Sequence, residues 1–121
     1  MEHFKKKMEV FILAVAVTAA FHPATGLQCF SLDEDNLCDD ASDGQVVECT
    51  GVNPGCSISE TYAFLGSGIG SLKTCSKGCL DDLNSSNEGC YFNEITGGYV
   101  NICNCGSDDC NRSFDTAAGG L

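Results

Sequence analysis

The chain has 121 residues, ten of them cysteine, and a formal charge of −11 from 17 acidic and 6 basic residues. A length this short holds one domain, and cysteine at about 8% is the density of a disulfide scaffold rather than of a cytosolic enzyme. The acidic balance excludes nucleic acid and anionic membrane surfaces as partners, because both require a basic face.

Lys5, Lys6 and Lys7 precede an apolar run from Met8 to Phe21, interrupted only by Glu9 and Thr18 and ended by His22-Pro23. The small residues Ala24-Thr25-Gly26 place a secretory cleavage site after Gly26, with cleavage after Ala19 or Ala20 as the alternative. The run is too short for a membrane anchor, which needs about 20 apolar residues. Residues 1–26 therefore read as a signal peptide, 27–113 as one folded domain and 114–121 as a short flexible tail. Residues 27–121 carry 15 acidic side chains against three basic ones (Lys73, Lys77, Arg112), a charge of −12, and no histidine. A chain of this size buries a small core, so disulfides must supplement it.

The cysteines lie at 29, 38, 49, 56, 75, 79, 90, 103, 105 and 110, and short runs of strand-forming residues separate them. Leu27 to Leu32 reads as a first strand, Asp33 to Gly44 as an acidic tip with turn chemistry at Asp43-Gly44, and Gln45 to Thr50 as the return strand. Asn53-Pro54-Gly55 is a turn. Ser57 to Leu65 alternates polar and apolar residues, Gly66 to Gly70 forms a second, glycine-rich tip, and Leu72 to Cys75 returns. Leu80 to Asn84 suits one helical turn. Tyr91-Phe92 and Tyr99 to Cys103 then form a third hairpin around Thr96-Gly97-Gly98. Three hairpins leaving a knot of cysteines make an all-β, small disulfide-rich fold.

Catalytic readings fail on residue type. Without histidine there is no Ser-His-Asp triad, no Cys-His pair and no His-containing zinc site. A thiolate metal cluster on Cys75/Cys79 or Cys103/Cys105 competes with bridges of the same spacing, and bridges suit an oxidising compartment. No metal or cofactor is expected. An EF-hand loop beginning at Asp39 would have Gly44 at its sixth place, but Ala41 and Thr50 stand where oxygen ligands are required. The segment therefore reads as a solvated acidic loop. The pairs Asp81/Asp82 and Asp108/Asp109 point to opposite faces if they lie on strands, so their carboxylates do not converge. Gly66-Ser67-Gly68-Ile69-Gly70 lacks the Gly-Lys-Ser/Thr ending of a phosphate loop. Two glycosylation sequons occur, Asn84-Ser85-Ser86 in a polar stretch and Asn111-Arg112-Ser113.

Leu27-Gln28-Cys29, Cys75-x3-Cys79 and the closing Cys103-x-Cys105-x4-Cys110-Asn111 resemble the LU family (lymphocyte antigen-6 and urokinase receptor) and the snake three-finger toxins. The C-x-C ending is similar to that of invertebrate members. The resemblance implies a three-finger fold over residues 27–113, with the Asn111 side chain tying the base of the fingers by backbone hydrogen bonds. It implies bridges Cys29–Cys56, Cys49–Cys75, Cys79–Cys103 and Cys105–Cys110, leaving Cys38 and Cys90 on fingers one and three. A shifted scheme joins Cys38 to Cys49, Cys90 to Cys103, Cys56 to Cys79 and Cys29 to Cys75, and Cys105–Cys110 is common to both. The chain departs from the family pattern in having Leu32 where most members have a second cysteine. That Asn111 role makes its sequon unsuitable and leaves Asn84 as the glycan site.

Many family members end in a hydrophobic segment exchanged for a glycolipid anchor. Here the ending has small residues but no such segment, which reads as a freely secreted protein. The implied function is a secreted, monomeric, non-enzymatic module acting on a cell-surface receptor or ion channel without inserting into the membrane. Its contacts are expected from Leu65, Ser67 and Ile69 on finger two, and its electrostatic steering from Asp33, Asp35, Asp39, Asp40 and Asp43 on finger one. A toxin-like effector of the same fold is the alternative, weakened by the absence of a basic residue at the finger-two tip. An unrelated disulfide-rich growth factor or protease inhibitor is a further one.

Overall fold

The computed structural model describes residues 26–119. The expected signal peptide lies outside the described residues apart from Gly26. Six strands form one antiparallel array: β1 (Leu27–Glu34), β2 (Gln45–Cys49), β3 (Gly55–Gly66), β4 (Gly70–Leu80), β5 (Gly89–Ile95) and β6 (Gly98–Cys105). Their spatial order is β2-β1-β4-β3-β6-β5. Short 3-10 turns cover Cys38–Asp40 and Cys110–Arg112, and a helix, α1, spans Phe114–Gly119. The expected all-β, disulfide-rich fold is present, and its hairpins β1–β2, β3–β4 and β5–β6 are three fingers rising from one cystine-rich base.

Finger one is longer than its sequence suggests. β1 runs on to Glu34, and its outer half leaves β2 to pair with β4 through Leu32–Lys77, Asp33–Ser76 and Glu34–Cys75. Asp33 is thus a strand residue and not part of a tip. The expected helical turn at Leu80 to Asn84 is absent. Leu80 ends β4, and 81–83 run extended beside Asn53, whose N–H donates to Asp81 O at 3.4 Å and whose carbonyl accepts from Leu83 N at 2.7 Å. An extended neighbour that uses these backbone groups outweighs the weak local helical tendency.

The disulfides are Cys29–Cys56, Cys38–Cys75, Cys49–Cys79, Cys90–Cys103 and Cys105–Cys110. Cys29–Cys56 and Cys105–Cys110 are as the resemblance implied, and Cys90–Cys103 is as in the shifted scheme. The other pairings expected from the resemblance are corrected, and Cys38 and Cys90 are not left over together. The reason is the β1–β4 contact. It carries the turn after β1 to the middle of β4, where Cys38 meets Cys75, and Cys49 is left to reach Cys79. Cys90 faces Cys103 directly across the β5–β6 ladder.

The core is small and sulfur-rich. Cys29, Cys49, Cys56, Cys103, Cys105 and Cys110 cluster with Ile58 and Ala117, flanked by Leu27, Val47 and Phe114. Of the residues expected as a flexible tail, 114–119 instead form α1, and 120–121 lie outside the described residues. Ser113 Oγ accepts from Thr116 N at 3.1 Å, a serine cap on the helix start. Ala117 is fully buried, so the helix is held by packing despite its length.

Candidate functional site

Asn111 is fully buried and joins strands that do not pair there. Its Oδ1 accepts from Phe30 N at 2.8 Å, while Nδ2 donates to Phe30 O and Ser57 O, each at 2.9 Å. β1 meets β4 only from Leu32 onward, so Phe30 faces a gap in the ladder. An amide carries both donors and an acceptor and fills such a gap with correct polarity. Ser113, the hydroxyl residue of the second sequon, is occupied as the helix cap. Asn84 is exposed, and its Oδ1 accepts from Ser86 N at 2.9 Å and Ser86 Oγ at 2.5 Å.

The finger-two tip turns at Gly66, Gly68 and Gly70, each in the left-handed region with φ of 125°, 84° and 106°. Leu65 and Ser67 are exposed there, and Ile69 is 71% exposed. An open cleft of about 390 Å³ separates this finger from finger one, lined by Asp35, Asn36, Ser71, Leu72 and Lys73.

The finger-one acids do not form one cluster. Asp33 lies in β1 beside Ser76. Asp43 lies 3.5 Å from Arg112, and its carbonyl accepts from Lys77 Nζ at 3.2 Å. Lys77 is buried and also donates to Arg112 O at 2.7 Å, with Phe30 5.7 Å away. Burial lowers its pKa from the ordinary 10.5, against the raising effect of Asp43. Asp35, Asp39 and Asp40 remain exposed toward solvent. The turn bearing Asp39 is clamped over the central sheet by Cys38–Cys75 and by Cys38 N, which donates to Glu60 Oε1 at 2.9 Å.

A feature the sequence reading missed lies beside that turn. Register places Lys73, Tyr62, Tyr99 and Glu94 in one row across β4, β3, β6 and β5, and Cys75, Glu60, Asn101 and Phe92 in the next row on the same face. Tyr62 stacks on Tyr99 at 5.9 Å between ring centroids, and Phe92 on Tyr99 at 5.6 Å. Glu60 Oε2 accepts from Asn101 Nδ2 at 3.5 Å. Burial, then Glu60, Tyr62 and Asp39, raise the Tyr99 pKa above the ordinary 10.0. Gly98 permits the close approach of β6 to β3 here: a Cβ there would collide with Tyr62 O. The β5–β6 turn is Thr96-Gly97, one residue shorter than the expected Thr96-Gly97-Gly98, and that register makes Phe92 and Tyr99 diagonal neighbours. Tyr62 joins them only through the register between fingers two and three.

The Sγ atoms of Cys29, Cys49 and Cys79 lie within 4.8 Å of one another, but each is bonded in a disulfide. Cys75, Cys79, Cys103 and Cys105 are likewise bridged, so none offers a free thiolate. Among the described residues no helix is long and apolar enough to cross a membrane. No protein-family model matches the chain, and a search of curated proteins finds no match.

Proposed function

We propose that the chain is a secreted, glycosylated, non-enzymatic LU-type module that modulates a cell-surface receptor or ion channel through its fingers. The reading is supported above all by the exposed apolar side chains held out on finger two: Phe64 at 53%, Leu65 at 52% and Ile69 at 71% exposure. Large apolar groups left in water on a cross-linked scaffold suit burial against another protein. The scaffold restricts the fingers before binding, which reduces the ordering cost on association. The acids Asp35, Asp39 and Asp40 steer the module toward a basic surface, and Asn84 carries the glycan.

Proximity labelling on living cells with the secreted protein tests this. The wild type is expected to label a defined surface protein, and Leu65→Ser/Ile69→Ser to lose that labelling. Equal labelling by the double variant would remove the finger-two tip from the function. Neutralising Asp35, Asp39 and Asp40 together slows association and flattens its dependence on salt. Glycosidase treatment is expected to shift the wild type and leave Asn84→Gln unchanged.

A further inference from the structure

We propose that the aromatic face of fingers two and three, centred on Phe92, Tyr99 and Glu94, docks a cationic side chain of the partner protein, with an arginine guanidinium as the fitting group. The inference rests on the binding-module reading and deepens it by naming the chemistry of the contact.

Three observations carry it. Phe92 is 57% exposed on the edge strand β5, stacked at one end of an aromatic row. Such a ring presents a negative quadrupole to a cation, and a guanidinium can lie flat on it. Glu94 stands directly across from Tyr99 on the same face, exposed, and its side chain has no hydrogen bond or ion pair among the described residues. A carboxylate beside an aromatic surface is the fork-shaped acceptor that a stacked guanidinium needs.

The charge of the face also has a direction. Lys73 ends the row beside Tyr62, whereas Glu94 ends it beyond Tyr99. Along that row Glu94 attracts a cation at the finger-three end, while Lys73 opposes one at the finger-two end. Glu60, in the neighbouring row, and Asp39, on the finger-one turn, make the potential over the face as a whole negative. Glu60 itself is occupied by Cys38 N and Asn101 Nδ2, so it acts through its charge, while Glu94 is the group free to bond. The aromatic row could serve only as packing between strands, but packing does not require the terminal ring to stand more than half in water.

The test uses isotope-labelled secreted protein titrated with a hexapeptide of alternating glycine and arginine, and with the same peptide carrying neutral citrulline. Amide shifts are expected at residues 60–64, 90–95 and 98–101 with the arginine peptide and not with citrulline. Phe92→Leu keeps an apolar side chain, and Glu94→Gln keeps the shape. Each should weaken binding by about two- to five-fold, the factor expected of one cation–π or charged contact at an exposed site. Asp81→Asn/Asp82→Asn, at the base, should leave it unchanged. Shifts centred on Asp81/Asp82 or Asp108/Asp109, or wild-type affinity in Phe92→Leu, would overturn the proposal. Cell-surface labelling separates the two readings. Labelling retained in both Phe92→Leu and Glu94→Gln leaves the module reading intact and removes this contact. Peptide docking without any labelling keeps the contact and removes the receptor reading.

Discussion

Replacing Asn111 by alanine deletes three hydrogen bonds and leaves Phe30 N–H, Phe30 C=O and Ser57 C=O facing a void. Each orphaned buried polar group costs about 1–3 kcal/mol. Carbonyls retain a second lone pair and some relaxation occurs, so the lower end applies, giving a loss of about 3 kcal/mol for the set. A domain of this size shifts by roughly 4–8 °C per kcal/mol, so the midpoint of thermal unfolding should fall by roughly 12–24 °C. Asn111→Asp sharpens the test. It keeps the acceptor for Phe30 N–H but turns a carboxylate oxygen toward two carbonyls. Burial and those lone pairs raise its native pKa above the unfolded value of about 3.9. The native state then binds more protons than the unfolded chain in the window above that value, so stability falls as pH rises through it. Acidification should therefore partly restore the aspartate variant relative to the alanine variant. Calorimetry on both, with the disulfides intact, measures this. An alanine variant within about 1 kcal/mol of the wild type, or an aspartate variant with no added pH dependence, would refute the bridging role.

The remaining predictions concern the features that set finger geometry. Serine at both Cys38 and Cys75 opens a loop with a sequence separation of 37. Closing such a loop alone is worth about 4 kcal/mol, and neighbouring bridges already confine part of it, so a loss of about 2–4 kcal/mol is expected. Amide exchange at residues 35–41 should accelerate far more than at the base, and uniform acceleration would count against a local clamp. Gly98→Ala places a methyl against Tyr62 O and should cost about 1–3 kcal/mol while weakening the Tyr62–Tyr99 contact. A variant as stable as the wild type would show that β3 and β6 tolerate wider spacing there. Phenolate absorbance should show Tyr99 ionising above 10.0, and Glu60→Gln should lower that value. The native state keeps this proton after the unfolded chain has lost it, so stability declines as pH rises above 10.0. An unchanged titration in Glu60→Gln would remove that carboxylate as a cause.

Much of the chain is legible from local pattern. Alternation with turn residues places three hairpins, because strand period and turn chemistry are properties of a few consecutive residues. Exposed glycine-rich residues at 66–70 read correctly as a tip for the same reason. The Asn111 role is anticipated by resemblance, and the amide's mixture of donors and acceptor accounts for it. The acidic segment was less legible. Its charges look like one tip in sequence, yet β1 consumes Asp33, the Arg112–Lys77 contacts hold Asp43, and a disulfide redirects the turn between them. The tail reads as flexible, whereas residues 114–119 form a helix whose Ala117 is buried in the core, a contact made only once the strands are packed.

Ten cysteines, an acidic balance and no histidine after residue 26 were enough to set the class of molecule and to argue against familiar catalytic sites. Which cysteine meets which, and which aromatics share a face, was decided by the tertiary structure. Both depend on how separate hairpins align: β1 against β4 delivers Cys38 to Cys75, and β3 against β6 delivers Tyr62 to Tyr99. Those alignments join residues far apart in the chain, and a shift of one residue would turn each side chain to the other face. Local preferences do not contain that choice. It follows from packing all three fingers around one sulfur-rich base.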